Sequence, residues 1–305
     1  MNKYIISTTI NPPTKAIQKF DNLKDWKLIV SGDLKTPSNY KLKNGIYLSP
    51  KDQEKISKKL SDLVGWNCIQ RRNFAMILAY KKGADIIATI DDDNIPLPNW
   101  HKNLIITKKL KSSKYFTKEE AFDPISVTNY KYLWHRGFPL QIIRNKNKNK
   151  KRKQINSRFD IQADFWNGDP DIDAICRMEH RPECKFENIY FPFSSNKFSP
   201  FNSQNTFLSK KIIKDYFLFP HIGRMDDIWA SYYVESLGYK VVYNHPTVYQ
   251  DRNEHDLTID LKKEVIGYEN NLKLLNELKT NPNNILNFIP ERSKDAFKLY
   301  QRHFS

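Results

Sequence analysis

The chain has 305 residues, 39 % of them apolar and 13 % aromatic, with only 3 Cys, and a chain of this length buries roughly three quarters of its unfolded surface without help from disulfides. Its 50 Lys and Arg against 34 Asp and Glu give +16, a balance that first suggests a nucleic-acid partner. The stretch 144–153 (RNKNKNKKRK) holds seven of those charges and no acid, leaving +9 for the rest, so no nucleic-acid partner is expected.

In chain order, Tyr4–Ile10 is a β-branched run broken by Asn11-Pro12-Pro13, and Trp26–Val30 is a second, ended by Ser31-Gly32-Asp33; both read as buried strands. Lys15–Phe20 has room for a short helix between them. Pro50–Leu63 and Arg71–Lys82 carry helical patterns, the second ended by Gly83 as a left-handed cap. Ile86–Ile90 (IIATI) is strand-like. Strands alternating with helices imply a mostly parallel sheet with helices on its faces, and ligands gather where such strands end. Further on, Phe122–Asn129 and Leu140–Ile143 are candidate short strands, and the Lys/Asn run 145–153 reads as a solvated loop or disordered insertion. Asp226–Leu237 is a helix ended by Gly238, Lys240–Tyr243 a strand, and Leu257–Leu278 an amphipathic helix. No repeat and no Pro/Gly/Ser linker divides the chain. The odd cysteine count (Cys68, Cys176, Cys184), an N-terminal stretch too short for a signal peptide, and no apolar run of about eighteen residues lead us to expect a cytoplasmic protein without a membrane span.

Directly behind IIATI stand Asp91, Asp92 and Asp93, followed by Asn94. Carboxylates this crowded repel unless a cation or solvent screens them. Mg²⁺ or Mn²⁺ suits oxygen ligands and usually completes its shell with substrate phosphates, so the expected cofactor is a divalent ion bridging a diphosphate; the alternative is a polar turn. The spacing Cys176-x3-His180-x3-Cys184 hints at zinc, but Pro182 interrupts the helix and a fourth ligand is lacking. Asn67, Gln70 and Arg71 precede a helix and either meet a nucleotide at its N-terminus or merely cap it. Trp66, Trp100, Trp134, Trp166 and Trp229 are candidates for stacking on a base or sugar, or core residues. No G-x-G-x-x-G follows the first strand, so a flavin is not expected.

The acidic tract resembles the metal-binding DxD element of nucleotide-sugar enzymes with the GT-A fold. Residues 135–141 (HRGFPLQ) and 221–230 (HIGRMDDIWA) resemble two blocks of the reversibly glycosylated polypeptides, the UDP-arabinopyranose mutases, and the segments 200–208 (PFNSQNTFL) and 260–267 (DLKKEVIG) are weaker echoes in the same order. The resemblance covers about residues 86–268. It implies a GT-A-like, Rossmann-type α/β fold with a mixed, mostly parallel sheet flanked by helices. A single domain would span 1–285, with a nucleotide-binding half about 1–120 and a sugar-binding half about 121–285, before a C-terminal tail 286–305. It further implies a flavin-independent, metal-dependent pyranose/furanose mutase acting on a nucleotide sugar, UDP-L-arabinose or a relative, possible as a homo-oligomer. The alternative is a GT-A glycosyltransferase passing sugar to an external acceptor.

By the same resemblance Arg136 is the arginine that becomes glycosylated. A guanidinium is a poor nucleophile and a good phosphate partner, so a diphosphate clamp stands equally beside that role. A second arginine function falls on Arg144. Asp226 and Asp227 are catalytic candidates for proton transfer, one of them alternatively a helix cap. Arg224 would pair with phosphate or with Asp226. Trp229, Asn205, Arg71 and Asn94 complete the substrate-binding candidates, and Asp91, Asp92 and Asp93 are the metal ligands. The family's late histidine has no counterpart: Val248-Tyr249-Gln250 stands there, with His245 and His255 to either side, and the third metal ligand stays open.

Overall fold

The computed structural model describes the whole chain except residues 99, 107, 149, 188, 252–255 and 305. Its strands are β1 (Lys3–Thr8), β2 (Lys27–Ser31), β3 (Ile46–Leu48), β4 (Ile86–Ile90), β5 (Asn94–Pro96), β6 (Leu110–Phe116), β7 (Lys151–Ser157), β8 (Ile161–Gly168), β9 (Phe193–Ser195), β10 (Asn205–Ser209) and β11 (Val241–Gln250). The α-helices are α1 (Lys15–Asp21), α2 (Pro50–Val64), α3 (Arg72–Lys81), α4 (Ala174–Glu179), α5 (Asp226–Ser236), α6 (Leu257–Thr280) and α7 (Glu291–Gln301).

One mixed sheet runs through the molecule in the order β3-β2-β1-β4-β10-β8-β11-β9-β6-β7, with β5 paired to β11. The first four strands are parallel throughout. β10 then runs antiparallel to both β4 and β8, which makes it the hinge between the N-terminal and C-terminal parts of the sheet. Helices flank the sheet: α3 lies on β1 and β2, α1 on β2 and β5, and α6 packs on α4 and α5. This is the mixed sheet flanked by helices that the resemblance implies.

The local signals explain the elements that position the site. β4 is buried at every residue, so its unbroken β-branched run belongs at the centre of a sheet covered on both faces. Helix α2 starts at Ser49, whose side chain accepts from the Asp52 N–H, with Pro50 in the first turn. Gly83 ends α3 with φ +77, the left-handed conformation that Gly adopts at least cost. Trp100 sits among the rings of Phe20, Trp26 and Phe207, with centroids 4.9–5.0 Å away.

Three expectations change. Pro124–Val127 and Leu140–Asn145 are 3-10 helices rather than strands; Pro124 opens the first, a position that needs no N–H donor. The Lys/Asn run is built into the fold: Lys146 is buried and donates to the Leu133 carbonyl at 2.6 Å, and 151–157 form β7, paired antiparallel with β6 at the rim of the sheet. Charged residues are common on such edges because they discourage pairing with another chain. The expected tail contains α7, which packs on α2 and buries Phe297 and Tyr300 beside Phe217.

Candidate active site

Beyond Ile90 the chain turns through Asp91, Asp92 and Asp93 into β5, placing the carboxylates at the end of a central parallel strand. Two cavities meet there. One, about 370 Å³, is lined by the end of β1 and the residues after it, Thr8 to Asn11, by Asp33, and by Arg72 and Asp92. The other, about 440 Å³, is lined by Gln70, Arg136, Asp171, Gln204, Gln250, Arg224, Asp226 and Asp227, with His221, Gly223 and Lys263 also on its wall. Asn67, Cys68, Ile69, Asp91 and Asp93 border both.

Asp91 and Asp92 have different partners. Asp91 accepts from Arg72 Nη2 at 2.7 Å and keeps 20 % of its side chain exposed. Asp92 accepts from Thr9 Oγ1 at 2.5 Å and Asn11 Nδ2 at 3.2 Å; burial and then neighbouring Asp91 push its pKa upward, against those hydrogen bonds. Among the described residues no group of three or more His, Cys, Asp and Glu side chains is arranged to hold a metal ion. The triplet is therefore not one three-carboxylate cluster: Asp91 and Asp93 border both cavities, while Asp92 borders only the smaller one. Two carboxylates with room for phosphate oxygens nevertheless fit Mg²⁺ or Mn²⁺, which commonly takes one or two protein carboxylates. The Cys176–His180–Cys184 spacing does not build a zinc site: α4 stops at Glu179, and Cys184 lies beside Gly168 in a backbone bridge.

Across the larger cavity, a 3-10 turn at Gly223–Met225 leads directly into α5, setting Asp226 and Asp227 in its first turn. Gly223 has φ +62, and a Cβ there would stand 2.0 Å from the Lys263 carbonyl of α6, so this turn accepts only Gly against α6. The two acids then diverge. Asp227 accepts from Arg136 through both carboxylate oxygens, at 3.1 and 3.3 Å, and from Ser203 N and Oγ at 2.9 and 3.1 Å. Asp226 accepts from Gln70 Nε2 at 2.8 Å. Burial, followed by the charge of Asp227, raises its pKa to about 7.

Arg136 occupies the centre of this arrangement. Its Nε and Nη2 donate to Asp171 at 2.9 and 3.0 Å, and Nη1 also donates to the Arg224 carbonyl. Burial pulls its pKa down, yet Asp171 and Asp227 hold the guanidinium charged well above the usual arginine range. Neighbouring Gly137, at φ +91, brings the segment against Ile228 of α5, where a Cβ would come within 2.2 Å of Cγ2. Arg72 Nη1 donates to Ser203 O and Oγ at 2.6 and 2.8 Å. Asp91, Arg72, Ser203, Asp227, Arg136 and Asp171 thus form one continuous polar chain, buried beyond Asp91, from the acidic turn to the far cavity wall.

Several sequence candidates lie elsewhere. Arg71 is fully buried, bonded to Gln53 and Ser61 and stacked 3.6 Å from the Trp66 ring; its neighbours Gln70 and Arg72 face the site instead. Asn205 serves the core, accepting from Trp100 Nε1 at 2.9 Å and donating to Thr247 Oγ1 at 2.8 Å. Trp229 is fully buried against Asn271. Asn94 is buried and donates to the Gln204 carbonyl at 2.7 Å. Arg144 is exposed in the 3-10 helix Leu140–Asn145. None of these five lines either cavity, and neither does any of the tryptophans. Arg224 does line the larger cavity but pairs with Asp260 and Glu264 of α6, at 3.2 and 2.8 Å, rather than with Asp226. His245 is exposed beside Phe191; His255 lies outside the described residues. Asp171 enters the site without any sequence signal of its own; Ser203 and Gln204 lie in the segment 200–208 and Gln250 stands where the family's late histidine would, yet nothing in the sequence assigns these three a role.

No family model matches the chain. Two Arabidopsis thaliana proteins, probable glycosyltransferases STELLO1 and STELLO2, are each 23 % identical over 277 residues, covering 83 % of this chain and 36 % of their own length. The chain therefore spans little more than a third of these curated relatives. Crystal structures of glucosyl-3-phosphoglycerate synthase from Mycobacterium tuberculosis align over 89–91 % of the chain at 12–13 % identity, with a TM-score of 0.44, covering 79–81 % of the solved chains.

Proposed function

We propose that the chain is a nucleotide-sugar glycosyltransferase of GT-A-like type, transferring a sugar from a nucleoside diphosphate donor to an external acceptor. One observation carries this: Asp91 and Asp93 stand where two cavities join, with Asp226 across the larger. The smaller cavity suits the nucleoside, the junction the diphosphate, and the larger the sugar and acceptor. A divalent ion held by Asp91 and Asp93 would neutralise the charge developing on the departing diphosphate. Asp226 is the base. Its pKa near neutrality suits it to take the proton from the acceptor hydroxyl, and Gln70 orients it. Arg136 and Asp227 act through position: their mutual ion pair and the bonds to Asp171 and Ser203 hold the first turn of α5 in place.

The relatives' description as probable glycosyltransferases supports the same reading over the mutase that the sequence blocks suggest. So does Arg136, whose three nitrogens are all spent on carboxylate and carbonyl partners, an unfavourable state for a nucleophile that would have to attack an anomeric carbon. The test is chromatography of UDP-, GDP- and dTDP-sugars after incubation with the protein and Mn²⁺. Release of the nucleoside diphosphate by transfer or slow hydrolysis is expected. A furanose nucleotide sugar without release would establish the mutase instead.

A further inference from the structure

We propose that Gln250 Oε1 is the third protein ligand of the divalent cation, in place of the histidine that the sequence leaves missing; this rests on the metal-dependent reading of Asp91 and Asp93. Gln250 is the last residue of β11 and is only 2 % exposed. It stands opposite Asn94 in the β5 pairing and beside Gly168 of β8, so its backbone is fixed on both sides. The next residue ties the strand to the acidic turn, Asp251 N donating to the Asp93 carbonyl at 3.3 Å. Gln250 lines the larger cavity together with Asp91 and Asp93.

Its amide oxygen is buried and accepts no hydrogen bond among the described residues. Such an acceptor costs stability, and a buried, unsatisfied oxygen on a residue that lines the same cavity as two carboxylates has the chemistry of a cation ligand. Asn94 Oδ1 is also without a donor, but Asn94 does not line the cavity. A carboxamide oxygen is a hard donor. With two carboxylates it builds an all-oxygen, neutral site once a divalent ion binds, which favours Mg²⁺ or Mn²⁺, whereas an imidazole in its place would favour zinc, cobalt or nickel.

The experiment is Mn²⁺ binding to the full chain, followed by the electron paramagnetic resonance signal of the free ion, alone and with UDP. Gln250→Met keeps the side chain's length and removes the oxygen. It is expected to lower Mn²⁺ affinity by about tenfold or more, a loss that even outer-shell changes can reach, while the thermal midpoint stays the same or rises. Gln250→His is expected to shift preference from Mn²⁺ towards Co²⁺ or Zn²⁺. Unchanged Mn²⁺ affinity in Gln250→Met, with affinity lost in Asp93→Asn, would overturn the assignment and leave the metal reading standing. Absence of Mn²⁺ binding by the unaltered protein, with and without UDP, would overturn both.

Discussion

Asp226 and Asp227 are adjacent in sequence and identical in type, yet their surroundings assign them opposite roles. Asp227 is locked between Arg136 and Ser203, whereas Asp226 keeps a single side-chain donor, Gln70, and an elevated pKa. A base must be ionised to accept a proton, so transfer should rise with pH and level off above about 7. Asp226→Asn should lower kcat by about a hundredfold or more without weakening donor binding. Gln70→Leu removes a hydrogen bond that favours the ionised form, so it should move the rising limb of the pH profile to higher pH; a limb that stays put would show that another group titrates. Arg136 makes a different prediction. Arg136→Ala leaves Asp171 and Asp227 buried without their cation, which typically costs about 3–5 kcal/mol, measurable by urea unfolding. Unaltered stability would mean that the guanidinium is not the structural centre described above. The sequence exposes the pair DD and the Arg-Gly-Phe-Pro segment, but which acid is free follows only from Ser203 and Gln70, residues 24 and 156 positions away.

Among the elements, those that lay the floor of the site were legible because one physical signal dominated each. β4 is an uninterrupted β-branched run buried at all positions, and Gly83 closes α3 where only a left-handed residue fits easily. β7 was not legible: its exposed Lys and Arg side chains mimic a solvated loop, and only pairing with β6 makes it a strand. β10 was also missed, although it joins the two parts of the sheet, because its sequence NTFLS is short and its burial comes from β4 and β8 on either side. α7 makes the clearest test at this scale. Phe297 packs on Phe217, Phe219 and Tyr233 with centroids 5.3–5.5 Å away. Phe297→Ala should therefore destabilise the fold by about 3–5 kcal/mol, read as a lower urea midpoint. A change within experimental error would make the last helix the dispensable tail that its position suggests.

For the whole molecule, the +16 charge resolves into unequal parts. The basic run folds partly inward, Lys150 reaching Ser126 with its pKa lowered to about 8 by burial, and ends as an edge strand. The acids that matter sit at strand and helix ends, facing two joined cavities. Among the described residues no helix is long and apolar enough to cross a membrane. The most direct test of metal-assisted transfer is nucleoside diphosphate release from a UDP-, GDP- or dTDP-sugar, measured with Mn²⁺ and with chelator, for the unaltered chain and for Asp91→Asn/Asp93→Asn shown to be folded by circular dichroism. Release that requires Mn²⁺ and falls by about a hundredfold or more in the double variant, with no furanose isomer formed, is the expected result. Equal release by the double variant, or ring isomerisation without release, would contradict it.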